Sequence, residues 1–190
     1  MTEYHIENYE FENGINPFLD RHPNLKLPHG ILSIKEMECL YKYSKGIVLD
    51  IGTFCGKSAT ILSLNAEKVY SIDMFFEKGS LHEKHLDYNY EIVKNKFKNT
   101  NVKIIKGDSR FVEINDNFDT IFFDSNHEYD FIKTDFEHWK PKLKSNGVFI
   151  FHDYYYLYTN SVIRYISELL QNKIIEKVEI MDSCFVAKLI

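Results

Sequence analysis

The sequence predicts a single α/β domain: a doubly wound, mostly parallel sheet of seven strands, with helices on both faces and an antiparallel hairpin at the C-terminal end. The length of 190 residues suits one domain with a substantial core. Short apolar runs alternate with amphipathic stretches after Gly46, which is the order of right-handed βαβ units. Only the Asp182-Ser183 turn separates the last two strand-like runs, so these should pair antiparallel.

The individual elements follow from the period of the apolar residues. The runs that predict parallel strands are 47–51, 69–72, 102–105, 120–123 and 148–151. The stretches that predict the helices among them are 57–66, 88–98, 131–143 and 160–171. The hairpin strands are expected at 174–180 and 184–190.

Two helices carry more detailed expectations. Ser33 and Glu36 form a capping-box pattern, which predicts the start of a helix there. The apolar residues expected on the buried stripe of this first helix are Ile34, Met37, Leu40 and Tyr41. In the helix at 88–98, those expected to face inward are Ile92, Val93 and Phe97.

The composition, the cysteine content and the net charge constrain the domain organisation and the kind of partner. Residues 1–30 lack periodicity and hold three of the four prolines, so we expect a lead segment that covers a site or is partly disordered, followed by one domain over 31–190. There is no run long enough to span a bilayer and no signal-peptide order at the N-terminus. Three scattered cysteines indicate a reducing cytoplasm. A net charge of −5 without a basic cluster favours a small-molecule partner over a nucleic acid, and a homo-oligomer is compatible with the sequence.

The loop after the first predicted strand, Asp50 to Ser58, has the glycine content of a ligand-binding turn. Gly52 lets backbone approach a ligand, and Gly56 allows a tight entry into the next helix. A phosphate-binding P-loop needs four residues between its glycines and this loop has three; a dinucleotide fingerprint needs a middle glycine that is absent. Asp50 would repel a polyphosphate. The loop therefore favours a cationic ligand.

The pattern Asp-x-Gly-x-x-x-Gly after a first strand resembles motif I of class I S-adenosylmethionine-dependent methyltransferases, which have a Rossmann-like fold and a cofactor with a sulfonium and an ammonium group. The resemblance covers about residues 30–190 and implies that Asp73 binds the ribose hydroxyls and that Asp108 contacts the adenine. The cofactor contacts that it implies are Asp50, Gly52, Thr53, Gly56, Ser58, Asp73, Asp108, Ser109 and Asp124. The alternative for Asp50 and Asp73 is turn formation or helix capping.

Acidic and imidazole side chains follow the fourth and fifth predicted strands. Asp124 ends one strand, and His152 and Asp153 end the next, so the three should converge if these strands are neighbours. Two carboxylates and an imidazole suit a divalent cation, with Mg²⁺ favoured by the oxygens and Mn²⁺, Fe²⁺ or Zn²⁺ admitted by the imidazole. The alternative is that Asp124 and Asp153 cap the following helices.

The pattern D-x-x-H-x-Y, followed by an amphipathic helix and F-H-D-Y, resembles metal-dependent O-methyltransferases that act on sugar hydroxyls of natural products and the related cephalosporin hydroxylase-like proteins. The resemblance implies O-methylation of a small-molecule hydroxyl, with His127 in the general-base position. Catechol-type enzymes share the layout more distantly and have Asp-Asn where this chain has His152-Asp153. Two alternatives stay open: a methyltransferase without a metal, and a non-catalytic nucleotide-binding or interaction module on the same fold.

The acceptor site must come from residues 1–30, 74–87 or 154–160, or from a second subunit. The tyrosines at 154, 155, 156 and 158 either line an acceptor pocket or pack within a loop. His82 and His85 are three residues apart, but a solvated loop is favoured over a metal site for them.

Overall fold

The computed structural model describes residues 17–75, 88–155 and 160–190. Its helices are α1 (Pro17–Arg21), α2 (Ile34–Tyr43), α3 (Lys57–Ser63), α4 (Tyr90–Lys96), α5 (Tyr129–Trp139) and α6 (Ser161–Gln171), with a 3₁₀ turn over Lys140–Lys142. Its strands are β1 (Ile47–Ile51), β2 (Lys68–Asp73), β3 (Val102–Lys106), β4 (Phe118–Phe123), β5 (Leu143–Phe151), β6 (Ile175–Met181) and β7 (Cys184–Leu189). Among these residues, none of the helices combines the length and the apolar character needed to cross a membrane.

The seven strands form one sheet in the order β3-β2-β1-β4-β5-β7-β6. Strands β1 to β5 are parallel, whereas β7 runs antiparallel to β5 and β6 antiparallel to β7. The predicted fold class is confirmed, including the C-terminal hairpin. The chain builds outward from β1 in one direction and then from β4 in the other, so a cleft opens between the ends of β1 and β4, where open α/β sheets bind their ligands.

Each face of the sheet has its own core, because side chains alternate along every strand. Val48 belongs to the face covered by α2, α3 and α4, and its neighbour Leu49 to the face covered by α5 and α6. The near-continuous burial of the central strands is what a parallel sheet covered on both faces requires.

The predicted elements are confirmed apart from details at their ends and on one helix face. The helix expected over 131–143 ends at Trp139 and tightens into the 3₁₀ turn that contains Pro141, because proline cannot continue an α-helix, and β5 then starts at Leu143. Ile92 was expected inward and is 45% exposed, so that expectation is wrong. The short helix α4 turns only Val93 inward, with Phe97 one turn on, and the residue next to Val93 points away.

The capping box at the start of α2 is confirmed. Ser33 Oγ accepts from the N–H of Glu36, and the Glu36 carboxylate accepts from the N–H of Ser33. Met37 and Leu40 are buried, with Ile34 and Tyr41 partly buried beside them. The described part of the lead segment packs on this helix through Phe18, whose ring lies 5.9 Å from that of Tyr41.

Candidate active site

Three neighbouring strands end in one row at the rim of the sheet. Ile51 of β1 lies opposite Phe123 of β4, and Phe123 lies opposite Phe151 of β5. The residues one position beyond this row are therefore side by side, and they are Gly52, Asp124 and His152. Hydrogen bonds continue past the strands, since the N–H of Asp124 donates to Ile51 O at 2.8 Å and that of His152 to Phe123 O at 3.0 Å.

Gly52 joins the β1–α3 loop to the loop after β4. It has a φ of +107°, and a Cβ at this position would lie 2.1 Å from the carbonyl oxygen of Asp124. The glycine is needed because protein backbone passes over it, a reason that the sequence does not show. The predicted cofactor loop and the predicted metal ligands are consequently in direct contact.

Asp50 lies beneath that loop and is fully buried. Its Oδ2 accepts hydrogen bonds from Ser71 at 2.5 Å and from Ser58 at 3.1 Å, whereas Oδ1 has no hydrogen-bond partner among the described residues. Burial raises the pKa of Asp50 to about 7, although the two serine hydroxyls work against that rise. Thr53 Oγ1 lies 2.6 Å from Ser71 Oγ and completes the network. A buried carboxylate with an unmatched oxygen favours a cation nearby, so the cofactor role of this group stays a prediction that the structure fits.

Gly56 opens α3 as expected of a tight entry into the helix. It is the N-cap residue, with a φ of +92°, and a Cβ there would lie 2.6 Å from the ring of Phe97. The capping alternative for Asp50 is therefore wrong, since the helix that follows begins at Gly56.

Asp73 at the end of β2 accepts three hydrogen bonds. Its Oδ2 accepts from the N–H of Phe54 at 2.8 Å, and its Oδ1 accepts from the N–H of Phe75 at 3.0 Å and from the Tyr88 hydroxyl at 2.7 Å. The contact with Phe75, two residues on, is the turn-forming contact of the alternative interpretation. The contact with Phe54 ties Asp73 to the β1–α3 loop as well, so both predicted cofactor segments meet at this carboxylate.

Asp108 and Ser109 follow β3 and are held by residues that the sequence analysis did not single out. The Arg110 guanidinium binds both carboxylate oxygens of Asp108, at 2.9 and 2.6 Å, and these hydrogen bonds hold the pKa of Asp108 below its usual range. Ser109 donates to Asp135 Oδ1 at 2.5 Å, and Ser125 donates to the other oxygen at 3.1 Å. Asp135 thus links the loops after β3 and β4.

A signal for Asp135 was present in the sequence. The residue is buried on α5 along with Ile132, Phe136 and Trp139, at the spacing of one helix face. An acid on an apolar stripe indicates a buried polar contact, because an unpaired buried carboxylate is costly. Burial raises the pKa of Asp135, and the two serine hydroxyls partly offset this rise.

Four side chains converge where β4 and β5 end: Asp124, His127, His152 and Asp153 offer ligand atoms that all lie within 4.8 Å of one another. His152 Nδ1 is 3.0 Å from Asp124 Oδ1 and 3.4 Å from Asp153 Oδ1. His127 Nε2 is 2.9 Å from Asp153 Oδ2 and 3.7 Å from Asp124 Oδ1. The expected convergence of Asp124, His152 and Asp153 is confirmed, and His127 is a fourth residue that offers a ligand atom at the same place.

The charges of this cluster are strongly coupled. Burial lowers the pKa of His127, but Asp124 and Asp153 outweigh it and raise that pKa to about 9. The same balance raises the pKa of His152 well above its usual value, through Asp124 first. Burial raises the pKa of both carboxyls, but the imidazoles reverse this and leave the two pKa values lowered. The two protonated imidazoles carry two positive charges, which compensate the negative charges of the two carboxylates. A bound divalent cation could supply two positive charges instead.

The capping alternative for the two acids is wrong. The N-cap of α5 is Glu128 and that of α6 is Asn160, and neither Asp124 nor Asp153 takes part. The donor set of two carboxylates and two imidazoles therefore has no capping role, and it fits a divalent ion.

Comparison with known proteins places the chain in a family. Residues 49–154, which include the β1–α3 loop and the Asp124–Asp153 cluster, match the family described as methyltransferase domain. The chain belongs to this methyltransferase family. Its fold and motif order are those of the class I S-adenosylmethionine-dependent enzymes, so the resemblance drawn from the sequence is confirmed at this level.

Solved structures share the fold of this methyltransferase at low sequence identity. The O-methyltransferase NovP matches with a TM-score of 0.65 and 17% identity, over 85% of this chain and 82% of that one. The methyltransferase PaMTH1 of Podospora anserina, bound to S-adenosylhomocysteine, matches with 0.59 and 16%, over 84% and 80%. An rRNA methylase from Streptococcus thermophilus matches with 0.57 and 15%, over 85% and 100%. By sequence, no curated protein matches the chain.

Glu36 is a further residue of the methyltransferase's site that the sequence analysis used only as a helix cap. Its Oε2 lies 3.3 Å from His152 Nε2. Burial raises the pKa of Glu36, but its contacts with His152, Ser183 and Ser33 together outweigh burial and lower that pKa. The capping box gave no signal of this pairing, because Glu36 and His152 are far apart in the chain and only the fold brings them together.

Only some residues of the predicted acceptor region lie within the part of the chain that the structure describes. The Tyr154 ring packs against Phe185, with ring centroids 4.8 Å apart, whereas Tyr155 is exposed. Packing therefore accounts for Tyr154. The tyrosines at 156 and 158, His82 and His85 lie outside the described residues, as do residues 1–16 of the lead segment. Of the described lead segment, Gly30 touches the cofactor loop, since its carbonyl accepts from Lys57 Nζ at 2.8 Å.

Proposed function

We propose that this methyltransferase transfers the methyl group of S-adenosylmethionine to a hydroxyl oxygen of a small molecule, a sugar or another natural product. A divalent cation is held by Asp124, His152 and Asp153, and His127 acts as the base. The observation that carries the proposal is the position of the cluster. Its ligand atoms lie within 4.8 Å of one another, and its Asp124 backbone passes directly over Gly52 of the cofactor loop.

The chemistry of methyl transfer suits these groups. The sulfonium already activates the methyl group, so the protein has to align the acceptor oxygen and remove one proton. When bound, a divalent cation would lower the pKa of the acceptor hydroxyl and compensate its charge. Asp124 and Asp153 supply hard oxygen ligands and His152 a nitrogen, which supports Mg²⁺ first and admits Mn²⁺, Fe²⁺ or Zn²⁺.

His127 has the position of a base but needs its proton removed first. Its Nε2 lies 2.9 Å from Asp153 Oδ2, and the pKa of about 9 that the two carboxylates impose keeps the imidazole protonated at neutral pH. Those same carboxylates are the proposed cation ligands. Once their charge is compensated, the imidazole is neutral near pH 7 and Nε2 can accept the proton of the acceptor hydroxyl.

The acceptor class rests on charge rather than on fold. An rRNA methylase shares the fold, so the fold does not separate small molecules from RNA. The net charge of −5 and the absence of a basic cluster in the sequence support a small molecule and argue against a nucleic acid. A cytoplasmic location remains part of the proposal, because the sequence contains only three cysteines and they are scattered along the chain.

The test combines binding and turnover with the purified chain. Calorimetry with S-adenosylhomocysteine, with and without Mg²⁺ or Mn²⁺, measures the two sites separately. Isotope-labelled S-adenosylmethionine is then offered with a panel of sugar nucleotides, glycosides and catechols, before and after exhaustive chelation. We expect S-adenosylhomocysteine to bind and methyl transfer to a hydroxyl to need the cation. If the chain releases no heat with S-adenosylhomocysteine, the proposed enzyme function is wrong.

A metal-independent methyltransferase is the second candidate, and one observation favours it. The four side chains already compensate one another as ion pairs, with contacts of 2.9 and 3.0 Å, so the cluster is electrostatically complete by itself. Turnover that survives both chelation and the Asp124→Asn substitution would select this candidate. S-adenosylhomocysteine binding without turnover on any acceptor would instead point to the non-catalytic module.

A further inference from the structure

Glu36 is a buried charge whose helix-capping role does not account for its position. The side chain is 6% exposed, whereas charged side chains are almost never fully buried unless they are paired. Oε2 accepts the N–H of Ser33 at 2.7 Å, which is the capping-box contact. Oε1 accepts a hydrogen bond from the Ser183 hydroxyl in the β6–β7 turn, so this carboxylate also joins α2 to the hairpin.

The His152 ring lies between Glu36 and the cluster. Its Nε2 is 3.3 Å from Glu36 Oε2, and its Nδ1 is 3.0 Å from Asp124 Oδ1 on the opposite side of the ring. The Glu36 carboxylate beside Nε2 favours the tautomer that carries its ring proton on Nε2, which leaves the lone pair of Nδ1 on the side of the two aspartates. Carboxylates arranged in this way behind a ligand histidine set its tautomer and ring orientation and raise its basicity.

Ser183 extends the influence of Glu36 to Asp153. The Ser183 hydroxyl that donates to Glu36 also accepts the N–H of Asp153 at 3.3 Å, and the Ser183 carbonyl accepts the N–H of Tyr154 at 3.0 Å. Asp153 has a φ of +55°, a left-handed conformation that is uncommon for non-glycine residues. The β6–β7 turn is therefore part of what aims the Asp153 carboxylate into the cluster.

We propose that Glu36 is a positioning residue of the divalent-cation site: it orients His152 directly and Asp153 through Ser183. The inference rests on the proposed function, because it assigns a role toward the cation of that function. Glu36 itself acts through the two ligands and does not touch the acceptor. The juxtaposition is specific to a chain with a histidine at position 152, since an aspartate there would not present a second ring nitrogen to Glu36.

The test compares Mn²⁺ affinity by calorimetry in the full chain and three variants. Glu36→Gln keeps a side-chain acceptor for the capping box and removes the charge behind His152, so we expect about 10-fold weaker binding. Glu36→Ala removes every contact and should weaken binding by about 10- to 100-fold. Ser33→Ala is the matched control: it removes the hydroxyl cap of α2 and the hydrogen bond to Asp182, but it leaves the contacts of Glu36 with His152 and Ser183 intact, so it should bind Mn²⁺ like the wild type.

A second readout separates positioning from a purely structural role. Co²⁺ absorption reports the ligand geometry, so the visible spectrum of the Glu36→Gln variant should shift while that of Ser33→Ala should not. S-adenosylhomocysteine affinity should stay unchanged in Glu36→Gln. Should Glu36→Ala fail to fold, Glu36→Gln alone decides. The inference is overturned if wild type and Glu36→Gln bind Mn²⁺ equally with the same Co²⁺ spectrum. If the wild type itself binds no Mn²⁺ or Co²⁺, the cation site of the proposed function falls, and the inference with it.

Discussion

His127 is the residue at which two chemical roles compete. Its Nε2 lies within the reach of both cluster carboxylates, at 2.9 Å from Asp153 and 3.7 Å from Asp124, so it can serve either as a fourth ligand or as a base. A ligand nitrogen shares its lone pair with the cation, whereas a base must keep that lone pair for a proton. The two roles therefore predict different effects of removing the imidazole.

We expect His127→Ala to lower kcat by about 10²–10⁴-fold, which is the usual contribution of general-base catalysis. Affinities for S-adenosylhomocysteine and Mn²⁺ should remain near those of the wild type. Steady-state kinetics and calorimetry measure the three quantities, with Lys133→Ala, an exposed change on α5, as the control. A Mn²⁺ affinity that drops together with kcat would make His127 a ligand instead.

Cation affinity should depend on pH because protons and the cation compete for the same cluster. The two carboxylates raise the pKa of His127 from 6.5 to about 9 and raise that of His152 as well, so the cation-free protein carries extra protons at neutral pH. Binding must release them. Affinity for Mn²⁺ should therefore increase as pH rises from 6.5 toward about 9, as the histidines lose their protons.

Calorimetric titrations in two buffers of different ionisation enthalpy count the protons released. We expect proton release at neutral pH, and less of it as pH rises through the raised pKa values of both histidines. Binding that is independent of pH over this range, with no protons released, would contradict the coupling.

At the scale of the elements, the site depends on loops that pack against each other at the rim of the sheet. The β1–α3 loop touches the β4–α5 loop through Gly52, and Asp135 of α5 holds the loops after β3 and β4 through Ser109 and Ser125. Both contacts hold one loop of the protein in place against another part of the protein. Substitutions there should consequently affect folding stability and binding together.

Gly52→Ala should destabilise the fold by about 1–3 kcal/mol, the usual cost of overpacking. The added Cβ would lie 2.1 Å from the Asp124 carbonyl oxygen, and the φ of +107° disfavours any side chain. Chemical denaturation measures the loss. Gly107→Ala is the control: its Cβ would meet only Val112 Cγ2, at 2.7 Å, and that side chain can rotate. Equal losses for both glycines would show that the backbone contact at Asp124 is not the cause.

At the scale of the whole molecule, the site gathers parts of the chain that are far apart in sequence. The cofactor loop follows β1, the cluster follows β4 and β5, and the cluster is supported from behind by the start of α2 and by the β6–β7 turn. The Ser33 hydroxyl also donates to Asp182 at 2.5 Å, which joins the first part of the domain to its last hairpin. A ligand that binds at this rim should therefore raise the free energy of unfolding of the whole domain.

S-adenosylhomocysteine at about 100 times its Kd should add about 2.7 kcal/mol to the free energy of unfolding. For a domain of this size, that gain corresponds to a rise in Tm of roughly 5–10 °C, which thermal denaturation detects. ATP is the control, because Asp50 and the spacing of the loop glycines disfavour a polyphosphate. An equal rise with ATP would mean that the loop binds nucleotides without regard to charge.

The sequence by itself determined the architecture and predicted several of the side chains that lie at the rim of the sheet. The apolar periods located the strands and most helices, because burial on a two-sided sheet imposes them, and the ends of consecutive strands contained Asp50, Asp73, Asp124, His152 and Asp153. The convergence of Asp124, His152 and Asp153 was predicted on the condition that β4 and β5 are neighbours, and the strand order in the sheet meets that condition.

Only the tertiary structure decided which groups touch. It placed Glu36 behind His152, directed Ser183 at both Glu36 and Asp153, brought His127 into the cluster, and showed that Gly52 is required by the Asp124 backbone. Ile92 faces outward because a short helix buries only one face. In α4 the tertiary packing buries the face that carries Val93. The spacing of apolar residues predicts which face of a helix or strand is buried. Contacts between distant segments depend instead on how the helices and strands pack against each other.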